Sequence, residues 1–129
     1  MKKIIISIIV LFVSLSVYSQ ENFDNFYSRF CTDIVFQMER INFPLKGTTV
    51  EEDMDMNRTY RKWRQSDWGH EVTTYYDPIL KQYGFKTEVN KSTYEVYIRI
   101  YEPNTENDSQ MVFELIRNKW YLTKCYDSY

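Results

Sequence analysis

The stretch NFDNFYSRFCTDIVFQMERI, residues 22–41, restricts the architecture more than any other part of the chain. Phe23, Phe26, Tyr27, Phe30, Ile34, Met38 and Ile41 recur at steps of three and four, which places them on one stripe of an α-helix. Arg29, Thr32, Asp33 and Glu39 fall elsewhere around it. Asn22 suits the N-cap, because its short side chain can accept from the first free backbone N–H groups. Pro44 forbids continuation much past Ile41, since it has no N–H and clashes with the preceding turn. One long N-terminal helix is expected, and its apolar stripe must be buried against another layer.

The C-terminal third reads as that layer. In TYEVYIRIY, residues 93–101, Tyr94, Val96, Ile98 and Ile100 alternate with Glu95, Tyr97, Arg99 and Tyr101, the period of a strand. Pro103 and NTENDS make a loop, and QMVFELIRNKWYLTKCYD returns as a hairpin about Asn118-Lys119, where asparagine tolerates positive φ. That turn sets Arg117 opposite Trp120, Leu115 opposite Leu122, Phe113 opposite Lys124 and Val112 opposite Cys125. Cys125 then points away from Phe113 and Leu122, unless a bulge shifts the register. Earlier, EVTTYYD alternates like a strand, and DPILKQYG reads as a short helix with Asp77 as N-cap, Pro78 in the first turn and Gly84 past the end. Residues 46–62 show neither period. The order defines a single α+β domain with a mostly antiparallel sheet.

The first residues have a different character. Lys2 and Lys3 precede an apolar run from Ile4 to Val13 broken only by Ser7, followed by the exit Val17-Tyr18-Ser19. That is the order of a secretory signal peptide, residues 1–19, leaving residues 20–129 as the domain. The run is too short for a membrane span of roughly 20 residues, and Cys31 lies too far downstream for a lipid anchor. The product is expected to be exported and soluble, periplasmic or secreted, with no membrane span after cleavage. The chain carries 16 basic and 18 acidic residues, and two of the bases are lost with Lys2 and Lys3. An acidic surface of this kind excludes nucleic acid as a partner. Twelve tyrosines, eight phenylalanines and three tryptophans point instead to ring-filled cores, pocket walls and interfaces.

The segment WRQSDWGHEV, residues 63–72, concentrates candidate site residues: Trp63, Trp68, Gly69 and the single histidine, His70. Five residues apart, the two indoles point in separate directions on a helix and to opposite faces of a strand. One is expected to close a cavity mouth and the other to pack in the core, with Gly69 supplying a bend. His70 stands as a structural or exposed residue, as a ligand hydrogen bond at the rim, or as a general base beside Asp67 or Glu71. No motif supplies it with a titratable partner, so no catalytic residue is assigned. Trp63, Trp68 and His70 form the expected ligand-binding set.

Metal and nucleophile chemistry find little support. Asp53, Asp55 and Asn57 open like an EF-hand loop, but its sixth and twelfth positions are Arg58 and Arg64. One histidine and two distant cysteines make no zinc set, and no metal or cofactor is expected. Cysteine-based hydrolysis would need Cys31 or Cys125 beside His70, without a supporting motif. In an oxidising compartment the same pair is a disulfide candidate, opposed by the hairpin register that turns Cys125 outward. On the outer sheet face Tyr97, Arg99 and Tyr101 alternate, with Ile116 and Tyr121 beside them. That composition suits an interface core or a partly solvated face.

The segments FYSRFCTDIVFQMERINFPL, WRQSDW and FELIRNKWYLTKCYD resemble exported bacterial domains of unknown function, family number 4348, within the cystatin-like or nuclear-transport-factor-like superfamily. The likeness covers essentially the whole chain after the signal peptide. It implies a cone-shaped, curved antiparallel sheet wrapped around a long N-terminal helix, with a cavity at the wide end. Relatives often pair through the outer sheet face, which makes a homodimer an expectation. The resemblance implies no activity, because other branches use the same cone for isomerases, dehydratases and plain binding modules. Cystatin inhibitors carry a Gln-x-Val-x-Gly hairpin, whereas Gln110-Met111-Val112-Phe113-Glu114 lacks the glycine and lies in the terminal hairpin. The expected role is a non-catalytic binding module for a small ligand or a protein partner. The alternative is an isomerase- or dehydratase-type enzyme with His70 as the proton-transfer group. A structural subunit of an envelope assembly is a third class, and it would show a closed cavity and a sticky outer face.

Overall fold

A computed structural model describes residues 19–69 and 71–128. The signal peptide expected at residues 1–19 lies, apart from Ser19, outside the described residues, and so does His70.

Helix α1 (Phe23–Thr32) begins where expected, with the Asn22 side chain accepting the Asn25 N–H at 2.9 Å. It does not run on to Ile41. At Asp33 the backbone turns extended (φ −115°, ψ 104°), and the carboxylate accepts the Phe36 N–H at 3.1 Å, starting α2 (Ile34–Glu39). Aspartate is a poor helix-interior residue and a strong cap for the same reason: its side chain competes for nearby N–H groups. The break also rotates the stripe. Ile34 becomes exposed, while Phe36 and Gln37 turn inward.

Ile41 leaves the helix and opens strand β1 (Ile41–Glu52). Pro44 sits inside this strand, where pairing with the neighbouring strand is interrupted between Ile41 and Lys46, so its missing N–H removes no ladder bond. The others are β2 (Arg58–Lys62), β3 (Lys86–Lys91), β4 (Glu95–Tyr101), β5 (Asp108–Ile116) and β6 (Lys119–Asp127). They form one curved sheet in the order β2-β1-β6-β5-β4-β3. Every pairing is antiparallel except that of β1 with β6. The segment EVTTYYD, expected to be a strand, is instead a turn-containing connection. It leads into α3 (Ile79–Gln82), where Asp77 accepts the Ile79 N–H at 3.0 Å.

The β5–β6 hairpin turns one residue earlier than expected. Arg117 and Asn118 both take positive φ (51° and 66°), which pairs Leu115 with Trp120 and Phe113 with Leu122. A bulge at Thr123 then shifts the register, so Val112 pairs with Lys124 and Met111 with Cys125. Trp120, Leu122 and Cys125 therefore all reach the buried side. The expectation that Cys125 points outward is corrected: the extra residue reverses the phase of the last third of β6.

Phe113 is the centre of the core. It is 0% exposed, and the rings of Phe23, Phe26, Tyr27 and Phe30 surround it at 5.3–5.9 Å, all steeply inclined to it. Edge-to-face packing of this kind matches each ring's positive edge to its neighbour's negative face. The start of β6 is tied down separately. Arg40 makes a two-pronged ion pair with Glu21 (2.6 and 3.0 Å), and the Trp120 backbone N–H and indole N–H donate to Glu21 at 3.0 and 2.9 Å.

Candidate functional site

The site is assembled at the far end of β6. After β2, the chain makes one 3-10 turn, Gln65–Asp67. Asp67 braces it, accepting the Arg64 N–H at 2.8 Å, Arg61 Nη2 at 2.7 Å and a second bond from Arg61 Nη1. The Arg61 guanidinium holds this carboxyl well below the usual carboxylate range. Asp67 is thus a permanent anion engaged in structure and unsuited to carrying a proton.

The braced turn folds Trp68 back onto Trp63. Their rings lie 5.5 Å apart at 54°, and both are buried. The expected division into one core and one mouth residue is corrected, because a helical turn between two extended residues obeys neither the helix nor the strand period. Each indole N–H is satisfied inside the protein: Trp63 donates to the Cys125 carbonyl and Trp68 to Gln37 Oε1, both at 2.7 Å. Gln37 in turn donates to the Phe30 carbonyl at 2.9 Å. Sequence reasoning missed Gln37, since only the break at Asp33 turns it inward.

Beside the indoles lies a cavity of about 420 Å³, lined by Trp63, Trp68, Thr49, Ser109, Met111 and Asp127, with Gly69 and Glu71 among its further residues. That falls within the range of roughly 300–1,000 Å³ typical of small-molecule sites. Leu80 and Phe85 border both this cavity and a wider cleft of about 820 Å³, whose lining includes Tyr75, Tyr76, Lys81, Lys86 and Tyr101. The cleft is larger, but Tyr76 and both lysines are exposed. The smaller cavity contains the group that demands explanation.

That group is Asp127, opposite Ser109 in the β5–β6 register. Its Oδ1 is sealed from solvent and, among the described residues, has no hydrogen-bond partner. Burial pushes its pKa up to about 6, against the opposing pull of the Ser128 N–H. Sequence reasoning missed this residue as well, because the bulge at Thr123 is what carries it inward. A carboxyl whose native pKa exceeds its ordinary value of about 4 is ionised in the folded state at a cost. The cost is absent near pH 4, grows as pH rises towards 6 and is complete above it. Asp127→Asn should therefore stabilise the protein by about 1–2 kcal/mol at about pH 8, allowing for partial solvation of the carboxyl, and by nearly nothing at about pH 4. Thermal melts at the two pH values check this; an equal shift at both would exclude ionisation of Asp127 as its cause.

The other expected site residues fall elsewhere. Tyr97, Arg99 and Tyr101 occupy the face of β4 opposite to buried Val96, Ile98 and Ile100. Arg99 is engaged there by Asp108 at 2.9 Å and Glu88 at 3.5 Å, and lies 4.0 Å over the Tyr101 ring. Cys31 and Cys125 are free thiols, with no bond between them. Cys31 packs beside the Tyr27 hydroxyl with its pKa pushed up to about 11 by burial, and burial raises Cys125 further. Neither is a ready thiolate nucleophile at neutral pH. Asp53 uses Oδ1 to accept the N–H groups of Asp55 and Asn57, each at 2.9 Å, which shapes the β1–β2 bend. Among the described residues, no helix is long and apolar enough to cross a membrane.

The curved six-stranded sheet covered by short N-terminal helices is a mixed α+β fold of the kind seen in solved structures called cystatin-like and ntf2-like. A family model matches residues 21–129, and the chain belongs to that family. Among solved structures, a cystatin-like protein from Bacteroides caccae is similar at TM-score 0.67 and 23% identity, over 85% of this chain and 78% of that one. A protein from Bacteroides uniformis is similar at TM-score 0.60 and 23% identity, over 84% and 78%. An ntf2-like protein from Bacteroides fragilis is similar at TM-score 0.54 and 17% identity, over 84% of this chain but 47% of that one. These identities support the fold alone. No curated protein matches the chain.

Proposed function

We propose that the protein is an exported binding module that holds a small ligand in the cavity beside Trp63, Trp68 and Asp127. In this reading it is one of the exported domains of family 4348, delivered by the signal peptide at residues 1–19. His70, between Gly69 and Glu71 of the cavity lining, belongs to the ligand set. The observation that carries the proposal is the indole pair. Both N–H groups are engaged within the protein, so the rings offer apolar π surface around a volume of ligand size.

An isomerase- or dehydratase-type reaction has one observation in its favour. Asp127, with a pKa of about 6, suits a proton carrier at neutral pH. In that reading His70 is the second proton-transfer group, because Asp67 is locked by Arg61 and Arg64. Binding without chemistry is favoured by the engaged indole pair.

Native mass spectrometry of the protein purified from its exported compartment tests the proposal. The expected result is a species heavier than the chain by a small-molecule mass, diminished in a Trp63→Ala variant that remains folded. A bare dimer would move the function to Tyr97, Arg99 and Tyr101 on the outer face and overturn the cavity reading. A bare monomer whose tryptophan fluorescence is unmoved by aromatic small molecules would overturn it too.

A further inference from the structure

We infer that the ligand is an organic cation, an amine carried on an aromatic or apolar body, with its ammonium seated against Asp127. The inference rests on the cavity reading and names the chemical class that reading leaves open.

Charge comes first. The described residues lining the cavity include three carboxylates, Asp67, Glu71 and Asp127, and no lysine or arginine. Asp67 is neutralised by Arg61 and Arg64, whereas Asp127 has no such partner among the described residues. A buried acceptor without a donor is destabilising. The fold nevertheless places one at the end of β6, in a residue that is only partly buried and lines the cavity, where its carboxylate can meet a ligand N–H. Ser109, opposite Asp127 in the register, brings a hydroxyl that can accept a second ammonium N–H.

The walls agree with the charge. Indole faces carry the negative part of the ring quadrupole, and tryptophan is the best aromatic partner for a cation. With both indole N–H groups turned to the Cys125 carbonyl and Gln37, neither indole offers a donor that would favour an anion.

Among the described residues, no cation is paired with Asp127, although Arg58 donates to the neighbouring Ser128 carbonyl at 3.1 Å. Cys125 precedes it on β6, Asp108 lies beside Ser109 on β5, and Tyr60 reaches from β2 to a small recess that Asp127 also lines. Asp67 and Glu71 come from the connection after β2. Arg58 is paired with Glu106, and Arg99 with Asp108 and Glu88.

Three probes of one body but different charge test the inference: naphthylmethylamine, naphthylmethanol and naphthoate, titrated calorimetrically into the full exported domain near neutral pH. The amine should bind at least about tenfold tighter than the alcohol, with the carboxylate weakest. In Asp127→Asn the amine should lose its advantage and bind within about twofold of the alcohol. That variant is expected to be more stable than the wild type, so a loss there reports recognition. If the alcohol or the carboxylate binds as tightly as the amine, the cation is overturned and the cavity reading stands. If Asp127→Asn leaves the preference for the amine intact, Asp127 is not its seat. If none of the three binds, both readings fall.

Discussion

Phe113→Ala is expected to destabilise the protein by about 3–5 kcal/mol, enough to leave a domain of this size largely unfolded. The ring is 0% exposed and sits where α1 meets the sheet. Four rings of α1 pack around it, and on the sheet its neighbours in register are Val96 and Leu122. Truncation leaves a void that flat, rigid rings cannot close by changing rotamer, so both the transfer and the cavity contributions are lost. Urea unfolding followed by circular dichroism measures the effect. A loss below about 1 kcal/mol would mean that α1 is not docked on β5 as described.

Gly47→Ala is the second large effect, and its cause is backbone. Gly47 has φ +107°, and a Cβ there would stand 1.9 Å from the Cys125 carbonyl oxygen and 2.7 Å from its carbon. Main-chain atoms cannot rotate out of the way, so β1 would have to part from β6. Strain and the lost pairing together should cost at least about 3 kcal/mol. The damage reaches the candidate site, because the same carbonyl accepts the Trp63 indole N–H. A lowered melting temperature should accompany a red shift of tryptophan emission. Near-wild-type melting would show that Gly47 and Cys125 are not register partners.

These two positions were not equally legible. Phe113 lies in a segment whose apolar character is visible without any structure. Gly47 lies between residues 46 and 62, where neither helix nor strand period stood out. Half of β1 is only partly covered and β2 is an exposed edge, so burial leaves no alternating trace there. The candidate disulfide is absent, and the reason is related. Cys125 does turn inward, but beneath Gly47 and Trp63, while Cys31 packs against Tyr27. The cavity follows the same logic. The indoles were picked out by composition, but their mutual contact needed the turn braced by Asp67.

What the residues alone determined was the material of the core: the α1 stripe of Phe23, Phe26, Tyr27 and Phe30, the alternation of Val96, Ile98 and Ile100 along β4, and a terminal hairpin. Each is a segment buried on one side by its own period, and such burial writes itself into local spacing. Tertiary structure alone decided the parallel pairing of β1 with β6, the closure of Trp68 on Trp63 and the bulge at Thr123. Those depend on partners far away in the chain, which no local period records. The bulge matters most for function, because one extra residue in β6 reverses every side chain beyond it and turns Asp127 towards the cavity.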